Sequence, residues 1–135
     1  MTIETKIAPK NSLLLVMDKD SGEIPKSMGD KIFAATPSCI AIGTLCEIDG
    51  QTLVVLTDED VPIHQSSGMF KVYDGKLETP NKEVHLCTVH LDVLLKLPVK
   101  NVVCNIVILV NSESEPDKIF ILADSTAVKI TGDGI

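Results

Sequence analysis

Short aliphatic runs, each closed by a cluster of turn-forming residues, recur along the whole chain. Residues 12–17 are almost continuously apolar, and Asp18-Lys19-Asp20-Ser21-Gly22 ends them as a turn. Residues 39–46 alternate, with Ile40, Ile42 and Thr44 on one face and Ala41, Gly43 and Leu45 on the other, which is the period of two of a strand. Residues 52–57 read as the return strand across Asp49-Gly50, a dipeptide suited to hairpin turns because both central positions take positive φ. Residues 69–73 followed by Asp74-Gly75 give a second hairpin signal of the same kind. Pro80-Asn81-Lys82 predicts a turn and 83–90 a weakly alternating strand. Leu91, Val93, Leu95 and Leu97 then share one face, with Asp92, Leu94 and Lys96 opposite, as a half-buried strand requires. Residues 102–110 are the most hydrophobic strand and are expected to be central, while 119–122 and 127–130 close the chain.

Two stretches lack a period. Residues 23–32 carry Pro25 and Gly29 and read as a long connection with room for one helical turn, and 1–11 read as an irregular N-terminal segment. No window longer than about 12 residues keeps a 3.6-residue period free of Gly and Pro. The expectation is therefore one all-β domain over residues 1–135, an antiparallel β-sandwich or small barrel of about eight or nine short strands.

Composition sharpens this. Hydrophobic residues make up 44% of the 135 positions but aromatic residues only 3%, so the core must be aliphatic and a ligand held by ring stacking is disfavoured. Nineteen acidic residues outnumber 12 basic ones, for a net charge of −7, and every basic residue is lysine. Without arginine the chain lacks the planar fork that grips phosphate, and its net charge repels polyanions, so nucleic acid and anionic membrane are excluded as expected partners. A strongly charged partner would be a basic protein. No basic start, apolar run and cleavage site mark a signal peptide, and no apolar run is long enough to span a bilayer, so a cytoplasmic location is expected. In that setting Cys39, Cys46, Cys87 and Cys104 read as buried thiols and not as disulfides.

Candidate chemistry is sparse. His85 and Cys87 lie two apart on a predicted strand and so share a face, but no C-x-x-C or H-x₃-H spacing accompanies them, and no metal or cofactor is expected. A nucleophilic cysteine needs a lowered pKa and a base, for which His64, His85 and His90 are the available histidines. Asp58, Glu59 and Asp60 form an acidic loop tip, and Asp18 and Asp20 a second acidic loop; neither has the oxygen spacing of a calcium loop. They are the expected contacts for a basic partner.

The layout as a whole resembles the family of the bacterial competence nuclease inhibitor (ComJ-like proteins). The likeness rests on an apolar first strand, Leu13 to Met17, with Asp18 and Pro25 after it. It continues through Ile40-Ala41-Ile42-Gly43-Thr44, Asp49-Gly50 and Leu53-Val54-Val55-Leu56, and through Leu95-Lys96-Leu97-Pro98 before the apolar run 102–110. It spans about residues 12–123. The chain departs from that pattern in having no Trp, no aromatic residue after the first acidic turn and no Val-Pro-Phe before Gly68. The resemblance implies a β-sandwich that binds and blocks a nuclease. Three readings follow: a non-enzymatic acidic binding protein that blocks a basic nuclease or toxin, a ligand-binding or enzymatic β-barrel, and a homo-oligomer joined through an open sheet edge.

Overall fold

The computed structural model describes residues 1–29, 31–59 and 67–124. Ten strands lie within them: β1 (Thr2–Ile7), β2 (Leu13–Met17), β3 (Phe33–Thr36), β4 (Cys39–Gly43), β5 (Thr52–Thr57), β6 (Phe70–Glu78), β7 (Glu83–Cys87), β8 (Val93–Pro98), β9 (Val103–Val110) and β10 (Lys118–Asp124). They form two five-stranded sheets, the first in the order β1-β5-β10-β9-β6 and the second in the order β3-β4-β2-β7-β8. All pairings are antiparallel except β5 with β10. Both sheets are open, so the architecture is a sandwich and not a closed barrel. The predicted run 127–130 lies outside the described residues.

The main core fills the space between the sheets. Leu14, Val16, Ile40, Ile42, Val84, Leu86 and Leu97 of the second sheet meet Val54, Leu56, Ile106, Ile108, Ile119 and Ile121 of the first. Nearly all are β-branched or leucine, as the low aromatic content requires. The one ring pair described, Phe33 on Tyr73, closes the β3–β6 side edge-on, with centroids 5.4 Å apart.

Strand positions are close to those expected, but several connections are not. Asp49-Gly50 does not make a hairpin, because β4 and β5 belong to different sheets. Residues 44–51 carry the chain from one sheet to the other, with Gly50 at φ +144°. Leu45 N–H donates to the Pro116 carbonyl and Leu53 N–H to the Asp117 carbonyl, both at 2.8 Å, which ties the crossing to the β9–β10 loop. Asp74-Gly75 is not a turn either; it lies inside β6, where Asp74 pairs with Val107 and Gly75 with Ile106. Glycine is needed there because a Cβ would come within 2.8 Å of Tyr73 Oη, whose ring lies over that position.

The segment expected to be irregular, 1–11, supplies edge strand β1, paired with β5 from Thr2 opposite Thr57 to Ile7 opposite Thr52. Its inward positions include Thr5, which hides the alternation in a hydropathy reading. Strand β3 also went unpredicted; it forms a tight hairpin with β4 across Pro37-Ser38. The single apolar face expected over 91–97 is broken by a bulge at Leu86/Cys87, so Leu94 and Leu95 both reach the core while Val93 is 42% exposed.

Strands β2, β4 and β7 are buried on both faces. On the side away from the first sheet, Leu15, Met17, Cys39, Ala41 and Cys87 form a second, smaller apolar cluster, capped by Met28 of the β2–β3 connection. Among the described residues of that connection there is no helical turn.

Thr52 is fully buried, and its hydroxyl has no hydrogen-bond partner among the described residues. It lies on the same face of β5 as Val54 and Leu56. Thr52→Val keeps the shape and removes the orphan hydroxyl. It should raise stability by about 1 kcal/mol in urea unfolding; a decrease would show that the hydroxyl has a partner.

Candidate functional site

The strand registers bring both predicted acidic loops to one end of the sandwich. Asp18 follows the last residue of β2, and its carboxylate reaches Asn81 in the β6–β7 turn. The end of β6 lies opposite the start of β9, with Glu78 against Val103. The end of β10 lies opposite the same part of β9, and Leu122 of β10 lies opposite Thr57 at the end of β5. Asp58 and Glu59 follow directly.

The individual carboxylates differ sharply. Asp18 is 1% exposed, and accepts the Asn81 backbone N–H at 2.6 Å and its side-chain amide at 3.1 Å. It staples a connection to a turn and offers no charge to a partner. Asp20 is exposed. Asp58 and Glu59 are exposed, but the Met1 ammonium sits 2.6 Å from Asp58 Oδ1 and 2.8 Å from Glu59 Oε2. Those hydrogen bonds raise the pKa of the amine. The same ammonium, with a hydrogen bond from Thr2, holds the Glu59 carboxyl below the usual carboxylate range. Asp60 lies outside the described residues.

The opposite end carries an acidic surface that sequence reasoning passed over. Asp49 of the 44–51 crossing is exposed there, as are Glu113, Glu115 and Asp117 of the β9–β10 loop. Glu47 accepts the Asn11 N–H at 3.1 Å, and Asp117 accepts the Asn111 amide at 2.6 Å. Asp49, Glu113 and Glu115 have no ion-pair partner among the described residues. Between Glu47 and Asp49, Ile48 is 86% exposed. The signal was present in the polar stretch Asn111-Ser112-Glu113-Ser114-Glu115-Pro116-Asp117.

Near this end a cleft of about 370 Å³ opens between β3 and β6, lined by Lys31, Ile32, Phe33, Lys71, Val72 and Glu113. No histidine or cysteine is among these lining residues. His85 and Cys87 do share a face, but both are buried against the β2–β3 connection. His85 Nδ1 accepts the Lys19 N–H at 3.0 Å, and Nε2 sits 3.3 Å from Glu83 Oε1. His90 is exposed in the β7–β8 turn, and His64 lies outside the described residues. Burial pushes the Cys39 thiol up to about 12, with Cys87 adding to the shift, and pushes Cys87 up to about 11. Such thiols are protonated at neutral pH and are not nucleophiles. None of the four cysteines is in a disulfide. Among the described residues, no three His, Cys, Asp or Glu side chains converge as a metal site, and no helix is long and apolar enough to cross a membrane.

The ten-strand, two-sheet arrangement has a counterpart among solved structures. The fold is similar to that of ComJ. The crystal structure of ComJ, inhibitor of the DNA degrading activity of NucA, from Bacillus subtilis, matches with a TM-score of 0.64 over 92% of this chain and 96% of that chain. Sequence identity is 12%, so the likeness to ComJ is one of fold. No family model and no curated protein matches the chain. The ComJ-like layout read from residues 12–123 thus corresponds to a shared three-dimensional arrangement.

Asp18→Ala should lower stability by about 2 kcal/mol in urea unfolding, because it orphans donors that a buried carboxylate satisfied. Asp20→Ala should stay within about 0.5 kcal/mol of the parent. Equal effects would mean that Asp18 is not the staple.

Proposed function

We propose that this chain is a non-enzymatic binding domain that covers a basic protein, a nuclease or a toxin, and blocks it. The observation that carries the reading is the fold it shares with ComJ over 92% of its length. ComJ is an inhibitor of the DNA degrading activity of NucA. A cleft that holds DNA is lined with cations, and an acidic β-domain competes for it by presenting carboxylates at fixed positions. The net charge of −7 without arginine suits that role. The buried, protonated state of Cys39 and Cys87 and the engagement of both His85 ring nitrogens weigh against a thiol enzyme. The same reading puts the chain in the cytoplasm, where thiols stay reduced.

The contact set of this reading is Asp20, Asp58 and Glu59 at one end, together with Asp60, which follows Glu59 in sequence; the alternative set is Asp49, Glu113 and Glu115 at the other end. A small-molecule reading is favoured by one observation, the cleft lined by Lys31, Phe33 and Glu113, and would appear as a thermal shift with an anionic metabolite.

The test is recovery of a basic protein from native lysate on the tagged chain, followed by affinity and activity measurements with the purified pair. Affinity should fall about tenfold or more between 50 and 300 mM salt, mainly through the on-rate. Reversal of three members of the first set (Asp58→Lys, Glu59→Lys, Asp60→Lys) should weaken binding by a further ten- to hundredfold, roughly. If only Asp49→Lys, Glu113→Lys and Glu115→Lys do so, the contact lies at the other end. If neither triple change nor salt alters affinity, the charge-based reading is wrong.

A further inference from the structure

We propose that residues 18–29 form a strap that opens as a unit while both sheets stay folded, and that its opening makes Cys39 and Cys87 a modification site for soft electrophiles. The strap contains no strand or helix. Asp20, Ser21, Glu23, Ile24, Lys26, Ser27 and Gly29 are exposed along it. A few hydrogen bonds fasten it: Asp18 to Asn81, Lys19 N–H to His85 Nδ1, Glu23 N–H to Ser38 Oγ at 2.9 Å, and the Thr36 hydroxyl to the Glu23 carbonyl at 2.6 Å. Met28 is its apolar contact with the cluster beneath. Segments with few apolar contacts and exposed backbone bonds are the ones that open below the global unfolding free energy.

What it covers is sealed from the main core. Leu15, Met17, Cys39, Ala41 and Cys87 point away from the first sheet, whereas Leu14, Val16, Ile40 and Ile42 of the same strands point toward it. Lifting the strap therefore strips the outer cluster without unpacking the inner one. Both thiols lie under the same cover: Cys39 is opposite Met17, and Cys87 is opposite the next outward residue of β2, Leu15. One opening exposes both.

Closure silences them chemically as well as sterically, since each is fully buried and holds its proton far above neutral pH. Once open, the thiols meet water and regain ordinary acidity. A thiolate sulfur can then add to the carbon–carbon double bond of a maleimide: the S–C bond forms, the π bond opens, and water supplies the proton to the neighbouring carbon. No oxidant or leaving group is needed. The adduct crowds the closed strap, because Gly22 already lies directly on Met17, the strand partner of Cys39. Modification holds the strap open and displaces Asp20 with it.

The experiment is N-ethylmaleimide labelling of the native protein, with each cysteine followed by mass spectrometry. Cys104, on the inner face of β9, reports global unfolding. Cys46, half-buried on the crossing, reports the fast limit. Cys39 and Cys87 should label together, about tenfold or more faster than Cys104, with a weaker dependence on urea. Ser38→Ala removes one fastening, which is missing from both the open-strap and the unfolded states, and should speed all three buried cysteines about fivefold with the order of their rates kept; Asp18→Ala should speed them further. One common rate and urea dependence for all three buried cysteines would overturn the proposal, as would Cys39 and Cys87 labelling at widely different rates. If a variant fails to fold, the urea dependence of the parent protein decides alone.

Discussion

The second sheet has to be covered on both faces, and much of the structure answers that requirement. Strands β2 and β4 carry apolar side chains at nearly every position, and β7 is buried at every position but its first. Opposite-facing rows such as Leu14 and Val16 against Leu15 and Met17 cannot both be served by a single partner sheet. At roughly 1.5–3 kcal/mol for each large aliphatic side chain, leaving the outer row in water would cost a large share of a small domain's net stability. The chain meets the requirement with residues 18–29, too irregular to form a layer of their own and therefore pinned by side chains. Asp18, Ser38, Thr36 and His85 are those pins. His85 and Cys87 on one strand face suggest chemistry in a one-dimensional reading. In the fold they are the underside of a cover and one of its fasteners.

The same constraint explains why acidic residues that look alike in sequence act differently. Asp18 and Asp20 belong to one turn cluster, yet Asp18 is enclosed and Asp20 is not. The partner that encloses Asp18 is Asn81, 63 positions away, and no local pattern announces it. Asp58 and Glu59 are exposed, but their field is partly cancelled by an ammonium at the start of the neighbouring strand.

Strand positions were legible because β-branched and leucine runs between turn residues leave few alternatives. Strand partners were less so, since a dipeptide such as Asp49-Gly50 describes local backbone freedom and says nothing about which sheet each flanking run joins. Asp74-Gly75 shows the point from the other side: the glycine makes room for the Tyr73 ring within a continuous strand. Strand β1 was missed because its inward row includes Thr5. The ComJ-like layout was recognised through the very residues whose hairpin reading fails. Spacing between strands carried the likeness, and spacing survives when a presumed turn is in fact a crossing between sheets. The acidic end around Asp49 and Glu115 was not legible because its members lie more than sixty positions apart and meet only through bonds such as Leu45 to Pro116.

Those backbone bonds bear on how an acidic domain of this shape would hold a partner. Charge alone raises the rate of encounter more than the lifetime of a complex, and exposed carboxylates on rotating side chains lose entropy when they are fixed. A durable contact needs a desolvated anchor inside the charged rim. The chain has few aromatic residues to serve as one. At the end tied together by Leu45–Pro116 and Leu53–Asp117, however, the loop tip presents Ile48 almost fully to solvent between Glu47 and Asp49. The backbone there is ordered before any partner arrives, so covering Ile48 costs little further entropy while removing a large apolar side chain from water. At the Asp58–Glu59 end, by contrast, a partner's cation has to displace an ammonium already bound to both carboxylates. These physical grounds are why the Asp49, Glu113 and Glu115 end stands as the alternative contact set: it offers an anchor that could turn a fast electrostatic encounter into a long-lived complex.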